Sequence, residues 1–153
     1  MRAHEVATAT PDETEALGAR FGRVLTGPTL IGLVGELGAG KTCFVRGLGI
    51  DPDCVHSPSF TLVNEYTGGR LGLQHVDLYR LERPRDDDPL LREVLYADAV
   101  VAVEWYERLE IAAADDVLLV TFAFAAREGR VLRLEARGER QEEVLRRAMT
   151  AAT

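Results

Sequence analysis

The chain is nearly devoid of lysine: of its 18 basic residues, only Lys41 is not an arginine. A single ammonium in an otherwise arginine-only sequence marks a place that needs a compact point charge and would not take a planar guanidinium. Cysteine is scarce as well. Cys43 and Cys54 are not spaced as a CxxC pair or as metal ligands, and both are expected to be reduced. No apolar run approaches the ~18 residues of a membrane helix; the longest, Val117 to Ala126, is interrupted by Thr121. The opening Met1-Arg2-Ala3-His4-Glu5 has no apolar signal core, so the chain is expected in the cytoplasm with no membrane association. Basic surface is short too. A formal net charge of −7 argues against tight independent binding of nucleic acid, and any RNA contact is expected to run indirectly, through a partner. Repeats, low-complexity tracts and linkers are absent, and residues 1–153 read as a single domain.

What is present begins with that lysine. The apolar stretch Leu30-Ile31-Gly32-Leu33-Val34 runs into Gly35-Glu36-Leu37-Gly38-Ala39-Gly40-Lys41-Thr42, which meets the G-x-x-x-x-G-K-[ST] spacing of a phosphate-binding P-loop. Glycines there let successive backbone N–H groups turn inward as an anion nest. Lys41 is expected to reach the β- and γ-phosphates and the Thr42 hydroxyl to ligate Mg²⁺, with a helix N-terminus aimed at the same charge. Gly35, Glu36, Leu37, Gly38, Ala39, Gly40, Lys41, Thr42 and Cys43 are therefore the expected nucleotide-binding residues, for ATP with Mg²⁺. Recognition of guanine in P-loop proteins uses an Asn/Thr-Lys-x-Asp motif, and a chain whose only lysine is Lys41 excludes that mode.

Around the loop the pattern is α/β. Arg2 to Ala7 is strand-like, and Thr10-Pro11-Asp12-Glu13 is a capping box that opens a helix over about 11–25, with Leu17, Phe21 and Val24 on one face. A helix follows the P-loop to about Gly49. The stretch through Tyr66, the turn Thr67-Gly68-Gly69-Arg70 and the segment Leu71 to Tyr79 predict an antiparallel hairpin. Asp77 closes its second strand, where P-loop proteins keep an acid for Mg²⁺ or for water. Asp86-Asp87-Asp88 are placed to cap a helix over about 89–96. Ala99 to Val103 reads as a buried central strand, and Glu104 directly after it fits the Walker B position, with glutamate for the commoner aspartate. A second hairpin over about 117–136 and an amphipathic helix over about 139–149 read as scaffold. The fold class is a P-loop NTPase fold, a mixed central β-sheet with an antiparallel hairpin, flanked by helices.

Beyond the P-loop, the stretches Ser57-Pro58-Ser59-Phe60-Thr61-Leu62-Val63-Asn64-Glu65-Tyr66, His75-Val76-Asp77-Leu78-Tyr79-Arg80-Leu81 and Val103-Glu104-Trp105 with Glu107-Arg108-Leu109 resemble the TsaE (YjeE) family of small bacterial P-loop ATPases. The resemblance spans about residues 10–110. It implies an ATPase that works with the TsaD and TsaB proteins in making N6-threonylcarbamoyladenosine at position 37 of tRNA. It also implies that Ser57 to Phe60 form a switch-like loop near the γ-phosphate, that Asp77 and Glu104 are the acids around Mg²⁺ and water, and that Trp105 lies beside the site. Catalytic roles thus fall to Lys41, Asp77 and Glu104, and metal ligation to Thr42, Asp77 and Glu104. Three positions depart from the family pattern: Cys43 stands for a second threonine, Ser59 for threonine, and Tyr106 for the proline after Glu-Trp.

Two other classes fit parts of the pattern. A P-loop kinase of small metabolites would need an arginine-bearing lid, which Arg83 and Arg85 resemble. A nucleotide-gated binding module would use ATP only to stabilise a docking surface, and would have no need for positioned acids at 77 and 104.

Overall fold

The structure is a computed structural model. It describes residues 2–36, 38–48, 63–66, 71–79, 89–95, 98–109 and 116–150, with the backbone alone for 63–66 and 89–91. Leu37, Cys54, Ser57 to Phe60, Thr67 to Arg70, Arg83, Arg85, Asp86 to Asp88 and Tyr96 lie outside the described residues.

Strand β1 (Arg2–Thr8) leads into helix α1 (Pro11–Val24), which starts where the capping chemistry predicts. The Thr10 hydroxyl accepts from the Glu13 backbone N–H at 3.2 Å, and the Glu13 carboxylate reaches back to the Ala9 N–H, also at 3.2 Å. One N–H that the first helical turn leaves unpaired, that of Glu13, is thereby satisfied, and the Glu13 carboxylate ties down the chain just before the cap. Strand β2 (Thr29–Val34) enters the glycine-rich loop, and helix α2 (Lys41–Gly47) leaves it. The hairpin strands β3 (Val63–Tyr66) and β4 (Leu73–Asp77) come next, then helix α3 (Pro89–Leu95) and strand β5 (Val100–Glu104). Strands β6 (Val117–Phe124) and β7 (Arg130–Arg137) and helix α4 (Glu139–Thr150) follow.

Among the described residues, seven strands form one sheet in the order β1-β7-β6-β2-β5-β4-β3. Strands β6, β2, β5 and β4 are mutually parallel, and each edge is antiparallel, β3 on β4 at one side and β1 on β7 on β6 at the other. The mixed α/β fold with an antiparallel hairpin is the one the sequence predicts.

Period-two alternation explains the continuous apolar runs. In β5, Val100 and Ala102 belong to the core beneath α1, α2 and α4, whereas Val101 and Val103 belong to a second core with Val76, Leu78 and Leu95 of α3. Strand β2 divides the same way, with Ile31 and Leu33 on the first face and Leu30 on the second. A central strand covered on both faces needs apolar residues at every position. Strand β7, between β1 and β6, differs, burying Leu132, Leu134 and Ala136 in the first core and alternating them with Arg133, Glu135 and Arg137.

Helices α1 and α2 meet backbone to backbone. A Cβ added at Gly47 would lie 1.9 Å from the Glu15 carbonyl oxygen, and one at Gly18 would lie 2.1 Å from that of Phe44. Neither carbonyl can yield without parting the helices, which carry the Phe21 and Phe44 rings, 5.7 Å apart in the core. Gly47→Ala is therefore expected to cost about 3 kcal/mol, at the upper end for overpacking. That would lower the melting temperature by roughly 6–12 °C. Gly72→Ala is the control, because its Cβ would sit at an ordinary 3.8 Å from Ala99. Circular-dichroism melts of the two variants check the difference.

Candidate functional site

The site lies at the carboxyl ends of the parallel strands, where open α/β sheets bind ligands. The ladder sets it out: Glu104 pairs with Leu33 of β2 on one side and with Asp77 of β4 on the other. Two strand-end acids, read separately from the sequence, thus become lateral neighbours.

The loop after β2 takes the shape its glycines allow. Gly38 and Gly40 have φ of 79° and 107°, a region that side chains strain to enter. Gly35 packs on Phe122 of β6, where a Cβ would come within 3.0 Å of the phenylalanine Cβ. Arg130, at the start of β7, donates from Nη2 to the Gly38 carbonyl oxygen at 3.2 Å, and its guanidinium lies 4.6 Å from the centre of the half-exposed Phe124 ring. The C-terminal hairpin, read from the sequence as scaffold, therefore also braces the loop. No side chain caps α2. Its first N–H groups are left to an anion, whereas within the loop the Ala39 N–H donates to the Glu36 carbonyl oxygen at 3.1 Å.

Lys41 is 4% exposed, donates to the Gly35 carbonyl oxygen, and sits with Nζ 3.7 Å from the centre of the Trp105 ring. Burial lowers its pKa from the ordinary lysine value, opposed by the carboxylates of Glu104, Glu107 and Asp77. Trp105 holds this position from a left-handed backbone, φ 61°, which is costly for a bulky residue and is found mostly where surrounding structure imposes it. Its ring lies 5.2 Å from that of Tyr79, and the Arg108 guanidinium lies 5.1 Å and 5.4 Å from the two ring centres while donating to the Tyr79 carbonyl at 2.6 Å. After Trp105 the chain enters a 3-10 turn, Tyr106–Arg108, and the Tyr106 ring packs against Gly32, where a Cβ would come within 2.6 Å. Tyr106 thus fills a groove that a glycine strand position leaves open.

The Thr42 hydroxyl donates to Glu104 Oε2 at 3.1 Å, joining the P-loop to the acid at the end of β5. Glu104 is 4% exposed and does not cap the turn that follows, which begins at Trp105. Asp77 accepts from the Tyr79 N–H at 2.9 Å. Together Gly38, Gly40, Lys41, Thr42, Cys43, Asp77, Glu104 and Trp105 line a pocket of about 240 Å³. Cys43 is a half-buried free thiol on its wall.

Sequence reasoning passed over His75. It is fully buried, and its Nε2 lies 2.5 Å from Glu104 Oε2. The signal was the H-x-D spacing, which puts His75 and Asp77 on the same face of β4.

Burial raises the Asp77 pKa above 3.8, the Tyr79 N–H opposes the rise, and Glu104 adds to it. The folded state therefore holds this proton more tightly than the unfolded state. The resulting penalty is absent below about pH 3.8, sets in as pH rises towards the folded value and is complete above it. Asp77→Asn, measured in chelator, is expected to melt higher than the wild type at about pH 7 and with it at about pH 3. Equal melting at both would contradict a half-buried, charge-opposed Asp77.

Among the described residues, no three His, Cys, Asp or Glu form a metal-holding group by themselves. The oxygen donors of Thr42, Glu104 and Asp77 nevertheless suit Mg²⁺, which characteristically takes one or two carboxylates and completes its shell with phosphate oxygens and water. Among these residues, too, no helix is long and apolar enough to cross a membrane.

Comparison with known proteins bears on the family and the fold. The family model described as threonylcarbamoyl adenosine biosynthesis protein TsaE matches residues 8–132. The tRNA threonylcarbamoyladenosine biosynthesis protein TsaE of Bacillus subtilis is 37% identical over 145 residues, covering 88% of this chain and 87% of that protein. The protein of the same name from Nostoc is 44% identical over 109 residues, covering 66% and 67%. The crystal structure of Bacillus subtilis YdiB superposes with a TM-score of 0.78 at 27% identity, over 97% of this chain and 95% of that one. On the match of the family model to residues 8–132 and the likeness to the Bacillus subtilis protein, the chain belongs to the TsaE family.

Proposed function

We propose that this chain is a Mg²⁺-dependent ATP hydrolase serving N6-threonylcarbamoyladenosine modification of tRNA, in the cytoplasm and in complex with TsaD and TsaB. The observation that carries the reading is the hydrogen bond from Thr42 to Glu104. It joins the hydroxyl that P-loop enzymes place on the metal to the acid that they place beside it, the pairing expected where phosphoryl transfer is stabilised electrostatically. Lys41 and the N–H groups of the loop would hold the β- and γ-phosphates. Thr42, Glu104 and Asp77 would hold Mg²⁺, which when bound offsets charge on those phosphates. Trp105 lies over Lys41 and shields it from water. The formal charge of −7 makes direct capture of tRNA unfavourable, so the tRNA belongs to the complex.

The test is steady-state hydrolysis of Mg·ATP by the purified chain, alone and with the TsaD–TsaB pair. Slow turnover alone and faster turnover with the pair support a partner-activated ATPase, since switch-type nucleotide sites are often completed by a partner. Assembly on ATP without hydrolysis in either setting would instead make the chain a nucleotide-gated binding module.

A further inference from the structure

The role of His75 follows from what it touches. It sits mid-strand in β4, beside Ala102 of β5, with no exposure to solvent. Its Nε2 shares Glu104 Oε2 with the Thr42 hydroxyl, at 2.5 Å and 3.1 Å, while its Nδ1 has no hydrogen-bond partner among the described residues. A neutral imidazole carries one donor and one acceptor nitrogen. Leaving the N–H at Nδ1 would strand a donor in the core and turn two acceptors towards each other at the carboxylate, so the proton belongs on Nε2. The last torsion of a glutamate side chain is broad and roughly two-fold, and a carboxylate with one hydrogen bond can rock about it. Two donors converging on one oxygen from different elements, β4 and α2, remove that freedom.

We propose that His75 is a positioning residue: by donating from Nε2 to Oε2, it fixes the Glu104 carboxylate against the Thr42 hydroxyl and so pre-arranges the corner of the site that receives the metal. His75 itself lies behind Glu104. The inference rests on the reading of Glu104 as an acid of the metal–nucleotide site.

Two variants of the full chain test it. His75→Gln keeps a side-chain N–H, and His75→Leu removes it. Calorimetry measures ATP affinity in chelator and in Mg²⁺, and steady-state kinetics separate kcat from KM. Both variants should bind ATP in chelator as the wild type does, because the loop and Lys41 are untouched. In His75→Leu, the factor by which Mg²⁺ tightens ATP binding should shrink, and kcat should fall with little change in KM, each by about tenfold or more, as when outer-shell partners of metal ligands are lost. His75→Gln should recover most of both. A leucine variant that keeps the Mg²⁺ effect and kcat, or a glutamine variant no better than leucine, overturns the proposal.

Glu104→Gln distinguishes the two levels. If it abolishes the Mg²⁺ effect while His75→Leu does not, only the role of His75 falls; if Mg²⁺ acts equally on wild type and Glu104→Gln, the reading of Glu104 falls first. Should the leucine variant fail to fold, imidazole ¹⁵N shifts of the wild type decide. A protonated Nε2 whose resonance moves in Glu104→Gln supports the proposal, and an unprotonated Nε2 overturns it.

Discussion

Glu104→Gln is expected to slow ATP turnover about 10²–10³-fold, the range seen when a single transition-state stabilising group is removed, while ATP binding in chelator stays within a few-fold of wild type. The substitution keeps the side-chain shape and an acceptor for the Thr42 hydroxyl, but removes the charge from the end of β5. Lys41 and the loop that would hold the phosphates are anchored elsewhere, on Gly35, Phe122 and Arg130. Single-turnover hydrolysis, with calorimetry alongside, measures both quantities, and unchanged turnover would take Glu104 out of the chemistry. Glutamine is the better variant than alanine because of what Glu104 holds. Alanine would leave His75 Nε2 buried and unpartnered, costing about 1–3 kcal/mol of stability and mixing a folding defect into the kinetics.

Lys41→Ala should act on the opposite quantity, lowering ATP affinity at least about 10²-fold, since each charge-assisted bond to a phosphate contributes about 1.5–3 kcal/mol. The fold should tolerate the change: Lys41 pairs with one loop carbonyl and one ring face, and the loop shape is set by Gly38, Gly40 and the Phe122 platform. Lys41→Arg is the sharper variant. A guanidinium would have to fit between the Gly35 carbonyl and the Trp105 ring, in a space sized for a compact ammonium. Arginine is therefore not expected to restore binding. Calorimetry giving wild-type affinity for either variant would contradict the assignment of the loop.

The parts of the site that the sequence reveals are those encoded by local spacing. The phosphate loop announces itself because each of its glycines answers a steric demand within eight residues of Lys41. Asp77 and Glu104 stand out because an acid breaks an apolar strand pattern at its end. Their adjacency, however, depends on parallel pairing of β4 with β5, and nothing in either strand states which neighbour it will take. His75 was hidden for a related reason. A histidine at a buried strand position looks the same as one satisfied within the core, until the partner strand is known to carry Glu104. Arg130 is the extreme case, ninety-two residues from the Gly38 carbonyl it braces and indistinguishable in sequence from the other arginines of its hairpin.

The place of β2 in the sheet also bears on how the chain assembles. Its two ladder partners are Val100–Glu104 and Leu118–Thr121, both far downstream, and β1 waits for a strand ending at Arg137. Helices α1 and α2 can pack as soon as both are made, but loop-closure entropy has to be met before such distant strand pairings give anything back. On the ribosome, where synthesis runs at about 5–20 residues per second, the strand that feeds the phosphate loop would spend seconds without either neighbour. Nucleotide offered during that interval would have nothing to bind: the motif is translated early, and the cradle closes among the last things to form.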